Sequence, residues 1–213
     1  MTKKDELIDK YKGRGWTSQF VKIRFWDAPF LEVEKLIPTD GTIVDLGCGE
    51  GIFTNFLAIC SNKRRIIGIE LNKERIKKAN LGFKNIKFLE GDATKITYPQ
   101  ADVIVMFHLM HHLNSYVDQE ILLKKCVSRL KSNGKLIVVE IDKNFSIKYL
   151  ITWFTDHFLV PWVFNHRFYD PIFFRKKNDW QLLLNKLGLT CQVLNADKNK
   201  PFSHIIFVCK KNK

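Results

Sequence analysis

Ile43-Val44-Asp45-Leu46-Gly47-Cys48-Gly49-Glu50-Gly51 joins an apolar run to a glycine-rich turn, and Ile52 opens a helix directly behind it. A run rich in Ile and Val brings the backbone to the edge of a parallel sheet, and the glycines let it turn tightly and press against a ligand without Cβ clashes. The free N–H groups of the next helix then face that ligand. A tight strand-to-helix turn needs glycine for structural reasons too, so the surrounding residues decide what the turn holds.

The turn lacks the third glycine of a dinucleotide-binding fingerprint, because Ile52 stands there. Asp45 precedes the glycines, where capping of the next helix is the plain structural role. Arg65 to Glu70 reads as a second buried strand, and Glu70 falls about 20 residues after the turn, where an acid can accept both ribose hydroxyls. Ile86 to Glu90 is a third strand, followed by Gly91-Asp92-Ala93.

Further along, Ala101 to Phe107 forms a fourth strand, and Glu120 to Leu130 repeats apolar residues at helical spacing until Ser132-Asn133-Gly134 stops it. Lys135 to Ile141 is a fifth strand. Trp180 to Leu187 is a helix stopped by Gly188, and two last strands, Thr190 to Leu194 and His204 to Cys209, flank the Asp197-to-Pro201 connection. That connection is too short for a crossover helix, so these strands pair antiparallel.

The glycine turn with its acids, followed by this ending, resembles the class I S-adenosylmethionine-dependent methyltransferases, with a core of the type 11 or type 25 kind, over roughly Val33 to Lys210. The resemblance implies an α/β fold: a Rossmann-like, seven-stranded, mostly parallel sheet with a C-terminal antiparallel hairpin and helices on both faces. It implies S-adenosyl-L-methionine as cofactor, with Asp45 supporting the turn and the methionine ammonium, Glu70 on the ribose and Asp92 on the adenine amino group. It also places Gly47, Cys48, Gly49, Gly51, Leu71, Ala93 and Phe107 around that cofactor. The whole chain, 1–213, reads as one such domain, with a helical cap over about 1–38 and an aromatic lid over about 143–176.

Methyl transfer from a sulfonium needs alignment of the nucleophile and exclusion of water, with a base within reach where the acceptor is an alcohol or phenol. Candidate bases gather in Phe107-His108-Leu109-Met110-His111-His112-Leu113, beyond the fourth strand, with Glu140 and Asp142 beyond the fifth. His108, His111 and Glu140 are the expected catalytic residues. No metal is expected, since the Asp-Asn pair of the magnesium-using catechol-type relatives is absent from the chain.

Phe145 to Phe174 carries eleven aromatic residues, with Ile147, Leu150, Ile151, Phe154 and Phe158 at helical spacing before Pro161. Basic residues border them at Lys148, Arg167 and Arg175 to Lys177. That mix favours a small hydrophobic or lipid-like acceptor, or contact with an anionic membrane surface. It does not span a bilayer, because charges interrupt each apolar run. Before the sheet, Ser18 to Trp26 is a basic amphipathic helix candidate; either Tyr11 or Trp16 reaches the pocket or the helix simply packs against the sheet. Asp27 reads as the cap of a following helix with Pro29 in its first turn.

The net charge of +13 would draw nucleic acid as well as lipid headgroups. The basic residues are spread along the chain, as in Lys63-Arg64-Arg65, and neither an Asn/Asp-Pro-Pro-Tyr motif nor a Pro-Cys pair is present, so nucleic acid is the weaker substrate reading. An RNA methyltransferase and a catalytically silent cofactor-binding partner protein stay open as alternatives. Five scattered cysteines without C-x-x-C argue against a zinc site or a disulfide framework and point to the cytoplasm, as does the charged amino terminus; peripheral contact with a membrane is compatible with both.

Overall fold

A computed structural model of the chain describes residues 1–144, 146–159 and 171–212. Seven strands form one sheet in the order β3-β2-β1-β4-β5-β7-β6. They are β1 (Gly41–Leu46), β2 (Arg64–Glu70), β3 (Ile86–Glu90), β4 (Ala101–Phe107), β5 (Leu130–Ile141), β6 (Leu189–Asn195) and β7 (His204–Lys211). The first five run parallel, and β7 lies antiparallel between β5 and β6, as the short Asp197-to-Pro201 connection requires.

The apolar run of β1 follows from burial on both sides of the sheet. Val44, Leu46, Ile104, Met106, Leu136 and Val138 face one core, closed by α6 (Tyr116–Arg129) and α8 (Lys177–Lys186) through Leu122, Cys126, Trp180 and Leu184. Ile43, Val103, Val105, Ile137 and Val139 face the other, closed by α4 (Ile52–Cys60) and the amino-terminal helices α1 (Lys3–Lys10), α2 (Trp16–Asp27) and α3 (Phe30–Glu34). α5 (Lys73–Ala79) follows β2, and α7 (Ile147–Phe154) continues into a π-helical turn, Thr155–Leu159. Phe145, and Pro161, Trp162, Phe164, Arg167, Phe168 and Tyr169 of the aromatic stretch, lie outside the described residues.

Several expectations are corrected. Asp27 does not cap the next helix; it ends α2 in an ion pair with Arg24, 2.9 Å away, and Pro29 caps α3. α6 begins four residues before Glu120, because the Ser115 hydroxyl accepts from the Asp118 N–H and fixes the start. The helix then gives way at Leu130, which pairs with Ala101, so Ser132 to Gly134 fall within β5. Cys191 and Cys209 are joined by a disulfide, since the antiparallel register of β6 and β7 sets them opposite each other; the cysteines therefore no longer argue for a reducing compartment. Arg64 is no surface charge: it is 1% exposed and donates to the carbonyls of Pro38, Leu57 and Ile37 and to Glu34.

Candidate active site

Strand order reverses between β1 and β4, and ligands of open α/β sheets bind beyond the carboxyl ends at such a point. Two groups of side chains sit there, one over β1, β2 and β3, the other over β4 and β5.

The first is built on the glycine turn. Gly47 and Cys48 donate their N–H groups to the Ile69 carbonyl at 2.8 and 3.0 Å, tying the end of β1 to β2. Glu70 completes the tie, one oxygen accepting from Gly49 N and the other from Asn72 N, both at 2.9 Å. Behind the turn, the buried Tyr11 hydroxyl donates to the Glu50 carbonyl at 2.7 Å, and Asn55 donates to Tyr11, Gly51 and Ala79. Tyr11 thus braces the turn from the core, and Trp16 stands half exposed on α2.

The three glycines differ in purpose. A Cβ on Gly51 would lie 2.6 Å from that of Ala79, so packing alone requires glycine there, whereas one on Gly47 would lie 2.8 Å from a Leu109 methyl that can shift, and it is the φ of +70° that favours glycine at that position. Gly49, at φ +57°, has nothing within 4 Å of its Cβ position. That open flank is where a ligand can approach the backbone.

The acids end neighbouring strands. Asp45, 2% exposed, accepts from the Thr54 hydroxyl at 2.6 Å; burial pushes its carboxyl up to about 7, with Glu70 adding to the rise and Thr54 opposing it. Asp92 accepts from the Thr94 amide and hydroxyl at 2.8 and 2.6 Å; partial burial works against it, yet Thr94 and Lys95 hold its carboxyl below the usual value. Three carboxyl groups along the ends of β1, β2 and β3, beside an open glycine, form an acceptor set suited to a ligand carrying an ammonium, a ribose and an amino-bearing base. The residues fit S-adenosylmethionine in that sense. Leu71 is exposed beside Glu70, Ala93 is buried, and the Phe107 ring packs on Phe30 and Phe53 at 5.0 and 4.5 Å. The Cys48 thiol is pushed well up by burial and by Asp45 and Glu70, which keeps it protonated.

The second group separates the histidines. His108, at φ +52°, belongs to a chain of hydrogen bonds whose direction is fixed at both ends. Arg24 can only donate and reaches His108 Nδ1 at 3.3 Å; the Asp27 carbonyl can only accept and takes His204 Nε2–H at 2.7 Å. His108 Nε2–H therefore donates to His204 Nδ1 at 3.0 Å, and both rings are neutral. Burial drives both values down, to about 3 for His204, with the neighbouring histidine and Arg24 adding to the fall at His108. Both nitrogens of His108 are engaged, which withdraws it from the base role expected of it.

His111 is arranged differently. Its Nδ1 lies 2.5 Å from Glu140 Oε2, both side chains are 1% exposed, and the other Glu140 oxygen accepts from Met110 N at 2.9 Å. Phe174 stacks on the ring at 4.7 Å. In the neutral ring Nδ1 donates to the carboxylate, so Nε2 is the acceptor, and among the described residues it has no hydrogen-bond partner. Asp156 Oδ2 stands 3.6 Å from it, too far for a direct bond and near enough that one polar group beside them could reach both. Burial alone would lower the His111 value, but the Glu140 charge and hydrogen bond, helped by Asp156, raise it. His112, exposed, also brings a ring nitrogen into this grouping.

Asp142 does not join Glu140: it caps α8 by accepting from Lys177 N at 2.9 Å. Sequence reasoning missed Asp156, whose signal is a polar stripe, Tyr149, Thr152 and Asp156, at helical spacing. It also missed Gln119, fully buried on α6, which donates to the Met110 and Phe173 carbonyls and accepts from Arg175 at 2.6 Å, clamping the Phe173–Arg175 segment over His111.

A family profile described as "Methyltransferase domain" matches residues 44–138. The chain is 28% identical over 130 residues to the carboxy-S-adenosyl-L-methionine synthase of Campylobacter jejuni subsp. doylei, covering 58% of this chain and 55% of the relative. It is 31% identical over 128 residues to the mitochondrial ubiquinone biosynthesis O-methyltransferase of Saccharomyces cerevisiae, covering 55% of this chain and 38% of that one. The chain thus spans about half or less of these relatives' length. The structure of the DhpI–SAH complex superposes with a TM-score of 0.70 at 19% identity, covering 98% of this chain and 97% of the other, and so shares the fold. The matched methyltransferase domain, with the glycine turn, the strand-end acids and the reversed final strand, supports a class I S-adenosylmethionine-dependent methyltransferase.

Proposed function

We propose that this chain moves the methyl group of S-adenosylmethionine onto a small, hydrophobic or lipid-like acceptor through an oxygen or nitrogen atom, with His111 as the base and Glu140 as its positioning residue. S-adenosylmethionine supplies an electrophilic methyl group on a sulfonium, which needs no acid to leave. Asp45, Glu70, Asp92 and the turn at Gly47 to Gly51 bind and orient it, with Leu71, Ala93 and Phe107 beside them.

The observation that carries this reading is the buried, unpartnered Nε2 of His111. A buried acceptor atom without a partner is costly, and rare unless something fills it. An acceptor hydroxyl or amine placed beside Nε2 and Asp156 satisfies it and hands its proton to the ring as the new bond forms. Glu140 holds the tautomer that leaves Nε2 free and stabilises the imidazolium that results. Phe174, stacked on the ring, and Tyr149, buried edge-on behind Phe174, keep water out and offer an apolar wall.

The test is transfer of radiolabelled methyl from S-adenosylmethionine into an extract of the source cells, separated into organic, aqueous, nuclease-sensitive and protein fractions. Label in the organic fraction, lost in His111→Gln while cofactor binding by calorimetry persists, is the expected result. Label in nuclease-sensitive material, or unchanged transfer by His111→Gln, would overturn it.

A further inference from the structure

α7 is turned inside out. Its inward side carries Tyr149 and Thr152, which are buried, while Ile147, Leu150, Ile151 and Phe154 stand 77%, 55%, 45% and 61% exposed. A helix resting on a protein core in water does the reverse. α2 shows a second such stripe: it buries Thr17, Val21 and Phe25, and turns Ile23 and Trp26 outward at 39% and 61% exposure.

The two stripes flank one turn. Lys148 of α7 donates to the backbone carbonyl and carboxylate of Asp197, and Lys200, three residues on, donates to the carbonyls of Phe25, Trp26 and Ala28 at the end of α2. The same two elements enter the site, Arg24 reaching His108 and Asp156 facing His111. An apolar surface therefore borders the acceptor side of the sheet edge, with the exposed Lys22 and Lys198 beside it.

We propose that this face docks on an anionic lipid bilayer, inserting the outward stripe of α7 together with Ile23 and Trp26 to the depth of the headgroups. Charge selects the occupant. A second copy of the chain, itself at +13, is repelled as a whole, whereas an anionic headgroup layer attracts the chain. Trp at the rim of an apolar face suits the interfacial zone, where the ring is buried and its N–H stays wet. Among the described residues no helix is long and apolar enough to cross a membrane, so the contact is one of lying on the surface. The docking face stands on this geometry alone; that it delivers a lipid-soluble acceptor rests on the function proposed above.

The experiment is co-sedimentation of the full chain with vesicles of phosphatidylcholine alone and of phosphatidylcholine mixed equally with phosphatidylglycerol, at low and high salt. Binding to the anionic vesicles, weakened by salt, is expected, and Leu150→Glu combined with Phe154→Glu should lower it by at least about tenfold. Both positions are exposed, so the variant's thermal unfolding should match that of the wild type and separate docking from folding. Absence of binding to anionic vesicles, equal binding by the variant, or a wild-type dimer in sedimentation velocity that the same substitutions dissolve would overturn the proposal, the last in favour of a second copy. None of these readouts depends on methyl transfer.

Discussion

Replacing Glu140 with Gln keeps the side-chain volume and removes the charge beside His111. The two Glu140 oxygens face two donors, His111 Nδ1–H at 2.5 Å and Met110 N–H at 2.9 Å. A glutamine has one acceptor oxygen and one NH₂ group, so one of these donors must meet another donor. If the amide NH₂ faces Met110, a buried N–H loses its partner. If it faces His111, the ring must shift its proton to Nε2, the atom that receives the acceptor's hydrogen. Loss of one buried, charge-assisted bond costs about 2–3 kcal/mol, which for a chain of this size lowers Tm by roughly 5–10 °C. Turnover should fall by about 10²-fold or more, because either arrangement weakens or removes the base. Nitrogen-15 imidazole signals followed across pH read the cause directly and need no acceptor. The wild-type His111 should titrate above its ordinary 6.5, and the variant's should fall. Because folding raises this value, its contribution to stability is full below 6.5 and is lost as pH climbs through the folded value, so the stability gap between wild type and variant should narrow upward in pH. An unchanged His111 titration with undiminished turnover would refute the assignment.

Two further outcomes concern the cofactor side. Asp45, pushed up to about 7 by burial, holds its proton to higher pH when folded than when unfolded, so its own contribution to the stability of the ligand-free chain is full below the ordinary carboxylate value of 3.8 and is lost as pH rises through about 7. Asp45→Asn should flatten that slope in urea titrations at pH 5 and 8, and Asp45→Ala should abolish S-adenosylmethionine binding by calorimetry while the fold survives; unchanged affinity would remove Asp45 from the site. Gly49→Ala should cost only about 1 kcal/mol of stability, from the left-handed backbone alone, yet weaken cofactor binding by more than tenfold. Gly51→Ala, whose Cβ meets Ala79, should instead unfold at distinctly lower temperature.

The sheet was legible because its signals are local. Strands buried on both faces read as unbroken apolar runs, and the length of the Asp197-to-Pro201 connection is enough to force β7 antiparallel. What stayed hidden depends on pairing between distant segments. The disulfide is an instance: 18 residues separate Cys191 from Cys209, and nothing in that spacing marks a bond until the register of the hairpin sets them face to face. Arg64 is another, since its partners Glu34, Ile37, Pro38 and Leu57 belong to three other segments.

The same divide runs through the site. The positions of Asp45 and Glu70 at the ends of β1 and β2, and of Asp92 just past β3, could be read because the strand pattern and the glycine turn fix them locally. His108 and His111 are not separable by sequence, although they lie three residues apart on one short stretch. Their fates are set by groups far along the chain: His204, 96 residues on, and Arg24, 84 residues back, engage both nitrogens of His108, while Glu140, 29 residues on, engages one nitrogen of His111 and leaves the other. A neutral ring locked between a guanidinium and a second neutral imidazole has no proton to gain at its buried position, since charging it would set cation against cation beside Arg24. A ring leaning on a carboxylate gains from taking a proton, because the product is an ion pair. The electrostatics therefore separate two histidines that the sequence presents alike: His108 ties α2 to β7 across the sheet edge, and His111, in the function proposed, faces the acceptor.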